Sequence, residues 1–484
     1  MMKGFRSIIK IAAFLLILGF MLYGINGMLE PKYTLANSEW PTTSAFRTFY
    51  TMEKDSVDVL FLGSSFCVNG FIPQEIYNQY GIRSYNLGSE QQSVLLSYYW
   101  LEEALRFQKP SVVVLEGHYL QNVHPESPVN TTEGLVRKSL DPMRLSKVKF
   151  DAVRAVCALD ERQETASWYL TNIRFHDRWK SLTEIDFDNS ESMYSPLKGW
   201  APGNEGPITY TIPVEDDGGE EIADLSPLMV DYFCRMAVLC REKGIRLVVM
   251  DVPYVMSPEV YRAYKKLCGE QGVDYIELGK EEEWNAMGVE LPRENTFGHG
   301  NIWGNIKTSR YAGKILSERY GVAGREDAQY EESKSFYEHF LSTARLKEMA
   351  GSEAPDANEY LSLLKDSRFA VFVAIGPETV SALPEAVKGR LEDLGFSRWE
   401  AGAKYLGILT DDGISEETGD ELWVSGRFRG KNSTYDIKNF GSGDGAYCMM
   451  TVDDDEFKFS PEGLSILVYD LVTHQKWVTS ITKE

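Results

Sequence analysis

The sequence is poor in histidine and cysteine, with six of each in 484 residues. The cysteines, at 67, 157, 234, 240, 268 and 448, show neither C-x-x-C nor zinc-type spacing, so no metal and no other cofactor is expected. Nor do they form a disulfide scaffold, which points to a setting that makes little use of disulfides. Basic side chains are in deficit, 50 against 72 acidic, and the net charge of −22 repels phosphate backbones and anionic lipid surfaces. Nucleic acid is therefore excluded as a partner. No repeat of fixed period occurs, and one apolar run alone is long enough to span a bilayer. That run, Ile11 to Leu29, is 19 uncharged residues preceded by Lys3, Arg6 and Lys10. It reads as a transmembrane anchor with its amino end in the cytoplasm and the bulk of the chain extracytoplasmic. No small-residue cleavage site follows, so an uncleaved single-pass anchor is expected over a removed signal peptide.

What is present is α/β alternation. Residues 1–30 read as a cytoplasmic tip and anchor, and 31–55 as a polar spacer. In "VDVLFLGSSFCVNGFIP", Val57 to Pro73, an apolar run stops at Gly63-Ser64-Ser65 and a helix-like segment follows. Further strand-like runs lie at 84–88, 111–116, 245–253 and 273–278, separated by helical segments, the last of them "WGNIKTSRYAGKILSERYG". Five strands with crossover helices predict a flavodoxin-like parallel sheet over 56–321, interrupted by a polar insertion at about 120–226. The acidic stretch 322–360 reads as a helical linker. Residues 361–484 read as a smaller α+β domain with the strand "RFAVFVAIG" and one amphipathic helix, "ETVSALPEAVKGRLEDLG".

A serine nucleophile needs a base and oxyanion donors. Taken alone, a Gly-Ser-Ser turn after a strand is a helix cap, and a loop histidine is a surface hydrogen-bonding residue. Their occurrence at the two ends of one α/β unit brings Ser65 and His299, in "TFGHGNIWG", to the same sheet edge. His176 is a second candidate for the pocket, with a packing or capping role favoured over it; His118 is read as non-functional, and Cys67 as a small buried hydrophobe.

The blocks "FLGSSFCVNGFIP", "YNLGSEQQS", "KPSVVVLEG" and the late "HGNIWG" resemble the SGNH/GDSL hydrolase superfamily over about Val57 to Gly321. They are most similar to its membrane-anchored branch, that of the D-alanyl-lipoteichoic-acid biosynthesis proteins of the D type and the alginate O-acetylases. The resemblance implies Ser65 as nucleophile, His299 as base and the Gly88 N–H as an oxyanion donor. The family's third-block asparagine has no match; Gln91, Gln92 or Asn122 stand in for it. Thr296 occupies the usual place of the acid, with Glu294 nearby. A Ser65-His299 dyad, a triad completed by Glu294 or a remote carboxylate, and a degenerate site all remain open.

The carboxyl-terminal segment resembles, with its halves swapped, the interleukin-like epithelial-mesenchymal transition inducer domain, through "PEGLSILVYD". This implies an accessory, glycan-binding role. The expectation is a serine esterase or O-acyltransferase on a cell-envelope polysaccharide, with a membrane-bound O-acyltransferase as a further partner. The alternative is a non-catalytic envelope assembly or glycan-binding protein.

Overall fold

The computed structural model describes residues 2–31, 41–170, 172–187, 193–203, 218–290, 294, 299–352, 355–441 and 446–481. Thr296, most of the expected spacer's start and much of the Gly/Pro/Asp-rich loop lie outside the described residues. The chain divides into two compact units, Met1–Lys334 and Ser335–Glu484.

In the first unit, β1 (Val59–Leu62), β2 (Ser84–Asn86), β3 (Val112–Leu115), β4 (Arg246–Asp251) and β5 (Asp274–Glu277) form one sheet in the order β2-β1-β3-β4-β5. Every pairing is parallel, as crossover helices require. This is the flavodoxin-like order, whose ligand crevice opens where the chain reverses direction between β1 and β3. All residues of β1 and β3 are buried, which explains their unbroken Val/Leu/Phe composition. Leu62 pairs with Leu115, so Gly63 and Glu116 leave the sheet side by side. Crossover helices run over Val94–Ala104, Pro227–Lys243 and Pro258–Gln271, and Ile302–Glu318 closes the unit. Serine side chains cap the first two, at Ser93 and Ser226. The described part of the insertion between β3 and β4 contains short helices, and a Gln121–Leu225 bridge closes its neck.

The apolar run near the amino terminus lies in the helix Met2–Leu29, whose segment Ile8–Leu29 has a mean hydropathy of 2.4 and is long and apolar enough to cross a membrane. Part of the expected spacer is structured. The helix Pro41–Phe49 buries Phe46 and Phe49 completely, and Phe46 stacks on Trp100 at 4.3 Å. Burying two such rings stabilises by roughly 1.5–3 kcal/mol each, so this helix belongs to the core.

The second unit contains two antiparallel sheets. One is ordered β14-β13-β6-β7-β8 and the other β12-β11-β10-β9, with β6 at Phe369–Ile375, β7 Lys404–Thr410, β8 Gly413–Gly419, β9 Leu422–Phe428, β10 Ser433–Phe440, β11 Tyr447–Val452, β12 Asp455–Phe459, β13 Leu464–Asp470 and β14 Lys476–Ile481. The single amphipathic helix expected after β6 is two, Pro377–Ala382 and Glu385–Asp393, because Pro384 cannot continue the first. The stretch expected as a linker forms helices Ala328–Ala350 and Ala357–Leu363, whose Leu346, Met349, Tyr360 and Leu361 lie in the core of this unit. His339 is buried between Asp366 and Asp470, with 3.0 Å to each carboxylate. An acidic composition concealed an apolar face.

Candidate active site

The site begins at the end of β1. Gly63 has φ +150°, and a Cβ there would lie 2.7 Å from the Glu116 Cβ, so the position admits only glycine. Ser64 then caps the short helix Ser65–Gly70: its backbone is extended and its Oγ accepts the Phe66 N–H at 3.3 Å. Ser65 is the first residue of that helix and is partly exposed, while Ser64 is buried.

His299 stands just before Asn301, whose side chain caps Ile302–Glu318 by accepting the Gly304 N–H at 2.9 Å. Its Nε2 lies 2.9 Å from the Ser65 Oγ, across 234 residues of chain. With the proton on Nδ1, the hydroxyl donates to Nε2, the geometry of a serine beside its general base. Burial lowers the imidazole below its ordinary range, against a smaller opposite effect of Glu90, so the ring is a neutral acceptor at pH 7. Phe66 stacks on His299 with centroids 4.5 Å apart and planes at 11°, fixing the ring's orientation.

Other groups meet here that the sequence did not mark. The rings of Tyr254 and His118 lie 4.6 and 4.8 Å from Phe66. Burial pushes the His118 imidazole down to about 4, so it too is neutral, and its buried Nδ1 has no partner among the described residues. Glu116, completely buried, accepts from Ser64 N–H at 2.9 Å, Ser64 Oγ–H at 2.5 Å and His118 N–H at 2.6 Å. Asp251 and Glu277 continue a row of carboxyl groups along the ends of β3, β4 and β5. The Tyr275 hydroxyl lies between them, 3.2 Å from Asp251 and 2.8 Å from Glu277, and Gly117 N–H donates to Asp251 at 2.6 Å. The one sequence signal for this row was a charged residue closing an otherwise apolar strand.

The remaining expected site residues sit as follows. The Gly88 backbone lies against the same short helix: a Cβ there would meet Val68 N at 2.9 Å. Its N–H donates to Asn86 Oδ1 at 2.9 Å. Gln92 is buried and its amide is engaged by Leu87 O, Ser97 and Ser139, while Gln91 accepts from Thr131. Asn122 is exposed. Glu294 accepts from Lys307 Nζ at 2.6 Å and from Glu290 N–H at 2.7 Å. His176 is exposed, with Nδ1 3.2 Å from the Ile173 carbonyl. Cys67 is buried beside Asn86, and burial pushes its thiol well above the ordinary range. All six cysteines are free.

The arrangement is a serine hydroxyl bonded to a neutral imidazole at the switch point of a doubly wound sheet. In comparison with known proteins, the chain matches no protein-family model and no curated protein.

Proposed function

We propose that the protein is an extracytoplasmic, membrane-anchored serine esterase or O-acyltransferase of SGNH hydrolase type, acting on a cell-envelope polysaccharide. The observation that carries this reading is the 2.9 Å contact between Ser65 Oγ and His299 Nε2 at the carboxyl edge of the sheet. In the reaction, Ser65 Oγ bonds to the acyl carbonyl carbon as its proton passes to His299 Nε2. The tetrahedral oxyanion collapses, the donor oxygen leaves with that proton, and an acyl-serine remains. A second hydroxyl then attacks, giving its proton to His299, and the Ser65 oxygen departs and regains one. Water in this step makes an esterase; a sugar hydroxyl makes a transferase.

Ser65 N–H has no acceptor within its own helix by virtue of position, which suits it to the oxyanion. Gly88 N–H joins it only after leaving Asn86. Glu294 is held by Lys307, which argues against its serving as the acid of a triad.

Support for a glycan comes from the second unit. The outer face of its four-stranded sheet carries Trp423, 62% exposed, and Tyr447, 46% exposed, with Phe440 paired opposite Tyr447 at 5.5 Å between rings. The Trp423 indole donates to Asp436 at 3.0 Å, and Lys438 lies 5.0 Å from its ring centre. Flat rings beside paired polar groups suit sugar C–H faces and hydroxyls.

The engagement of Gly88 and Glu294 favours a second reading, a hydrolase scaffold that binds glycan without turnover. Hydrolysis of p-nitrophenyl acetate separates the two. Turnover by the full chain, abolished by Ser65→Ala and by His299→Ala, supports the enzyme; a rate identical in all three proteins supports the scaffold.

A further inference from the structure

We propose that Glu116, at the end of β3, is the positioning residue of the Ser65 nucleophile. This rests on the catalytic reading of Ser65. Three donors converge on Glu116: the N–H and Oγ–H of Ser64 on Oε2, and the His118 N–H on Oε1. A group that accepts three hydrogen bonds and donates none is matched by an ionised carboxyl, which is an acceptor only. Burial works against that charge and raises the carboxyl above its ordinary range. A buried charge is tolerable only where hydrogen bonds replace its water, and here two of the three go to the turn that presents Ser65.

The same carboxylate stands behind both members of the reacting pair. Through Ser64 it fixes the backbone and rotamer of the residue before Ser65. Through the His118 N–H it anchors the loop whose imidazole lies 4.8 Å from Phe66, which in turn stacks on the ring of His299. Gly63 leaves no slack, because even a methyl group there would strike Glu116 at 2.7 Å. A shift at Glu116 therefore reaches Ser65 by one covalent link and His299 by two ring contacts. Asparagine or glutamine cannot take the place: an amide has one oxygen, so a donor on Ser64 or His118 would face an NH₂ group. The Ser64 hydroxyl thus links the Glu116 carboxylate to the turn that carries Ser65.

The test is saturation kinetics of a fluorophosphonate probe with the full chain in detergent, with melting temperature measured in parallel. In the reaction, Ser65 Oγ bonds to phosphorus, fluoride leaves and the hydroxyl proton passes to His299. Expected for Glu116→Gln is a fall of about 10- to 100-fold in the maximal phosphonylation rate per folded molecule, with the probe's half-saturating concentration unchanged, as a misplaced reacting group gives. Ser64→Ala, which keeps Glu116 in place, should slow the same step by several fold. The double variant should be no slower than Glu116→Gln alone, because the Ser64 hydroxyl acts through its bond to Glu116. Should Glu116→Gln fail to fold, the Ser64→Ala rate decides. Wild-type rates in both variants, or effects that simply multiply, would overturn the proposal while leaving Ser65 as nucleophile. If the wild-type chain is not labelled at Ser65, the catalytic reading falls and this role with it.

Discussion

At the scale of single residues, the row of buried carboxyl groups fixes a pH dependence. Burial, with the Glu116 charge adding to it, pushes the Glu277 carboxyl up to about 8, against an ordinary 4.5. The folded chain therefore holds this proton between about pH 4.5 and 8 while the unfolded chain has released it. Stability must fall as pH rises through that window, by at most about 1.4 kcal/mol per pH unit for one proton, and level off above it. Asp251, raised by burial and by Glu277, acts in the same direction. Melting temperatures from pH 5 to 8 should decline in the wild type and decline less in Glu277→Gln; equal slopes would contradict the assignment. Gly63→Ala is the sharpest single change, combining a forbidden φ with a 2.7 Å contact, and should cost several kcal/mol and abolish probe labelling.

Ser65 and His299 were legible in the sequence for a physical reason. Histidines are scarce, and βα topology sends the ends of β1 and the last loop to one edge. Glu116 was not legible. A charged residue ending a strand is normally solvated, and its burial follows only from the register that sets Gly63 beside it.

At the scale of elements, the acidic stretch before β6 illustrates what composition hides. Leu346, Met349, Tyr360 and Leu361 are spread among charged residues, yet all four enter the core of the second unit. Removing them costs about 2–5 kcal/mol each, together comparable to a domain's usual 5–15 kcal/mol. A chain starting at Ser335 should melt cooperatively, and one starting at Lys365 should not. Cooperative melting of the shorter chain at the same temperature would place the boundary after the helices. Strand β8, "GISEETG", lies at the edge of its sheet and is mostly exposed, so it needs no alternation of apolar residues. On the outer sheet, Trp423→Ala should weaken retention on purified envelope polysaccharide about tenfold with no change in melting temperature. Unaltered retention would remove that face from the account.

At the scale of the whole molecule, one apolar helix and an acidic body set the expected placement. Lys3, Arg6 and Lys10 precede the span, so protease added to intact protoplasts should remove everything beyond Glu30. Protection of the body while a known surface protein is cut would reverse the orientation.

The central claim is that Ser65 is an activated nucleophile, and mass spectrometry of the full chain after fluorophosphonate treatment tests it most directly. The account predicts one phosphonyl adduct, on the peptide containing Ser65. It also predicts loss of the adduct in Ser65→Ala and His299→Ala, and a labelling rate that holds down to pH values below 6.5 because burial keeps His299 neutral. An unmodified Ser65 peptide, or equal labelling in the His299→Ala chain, would contradict it.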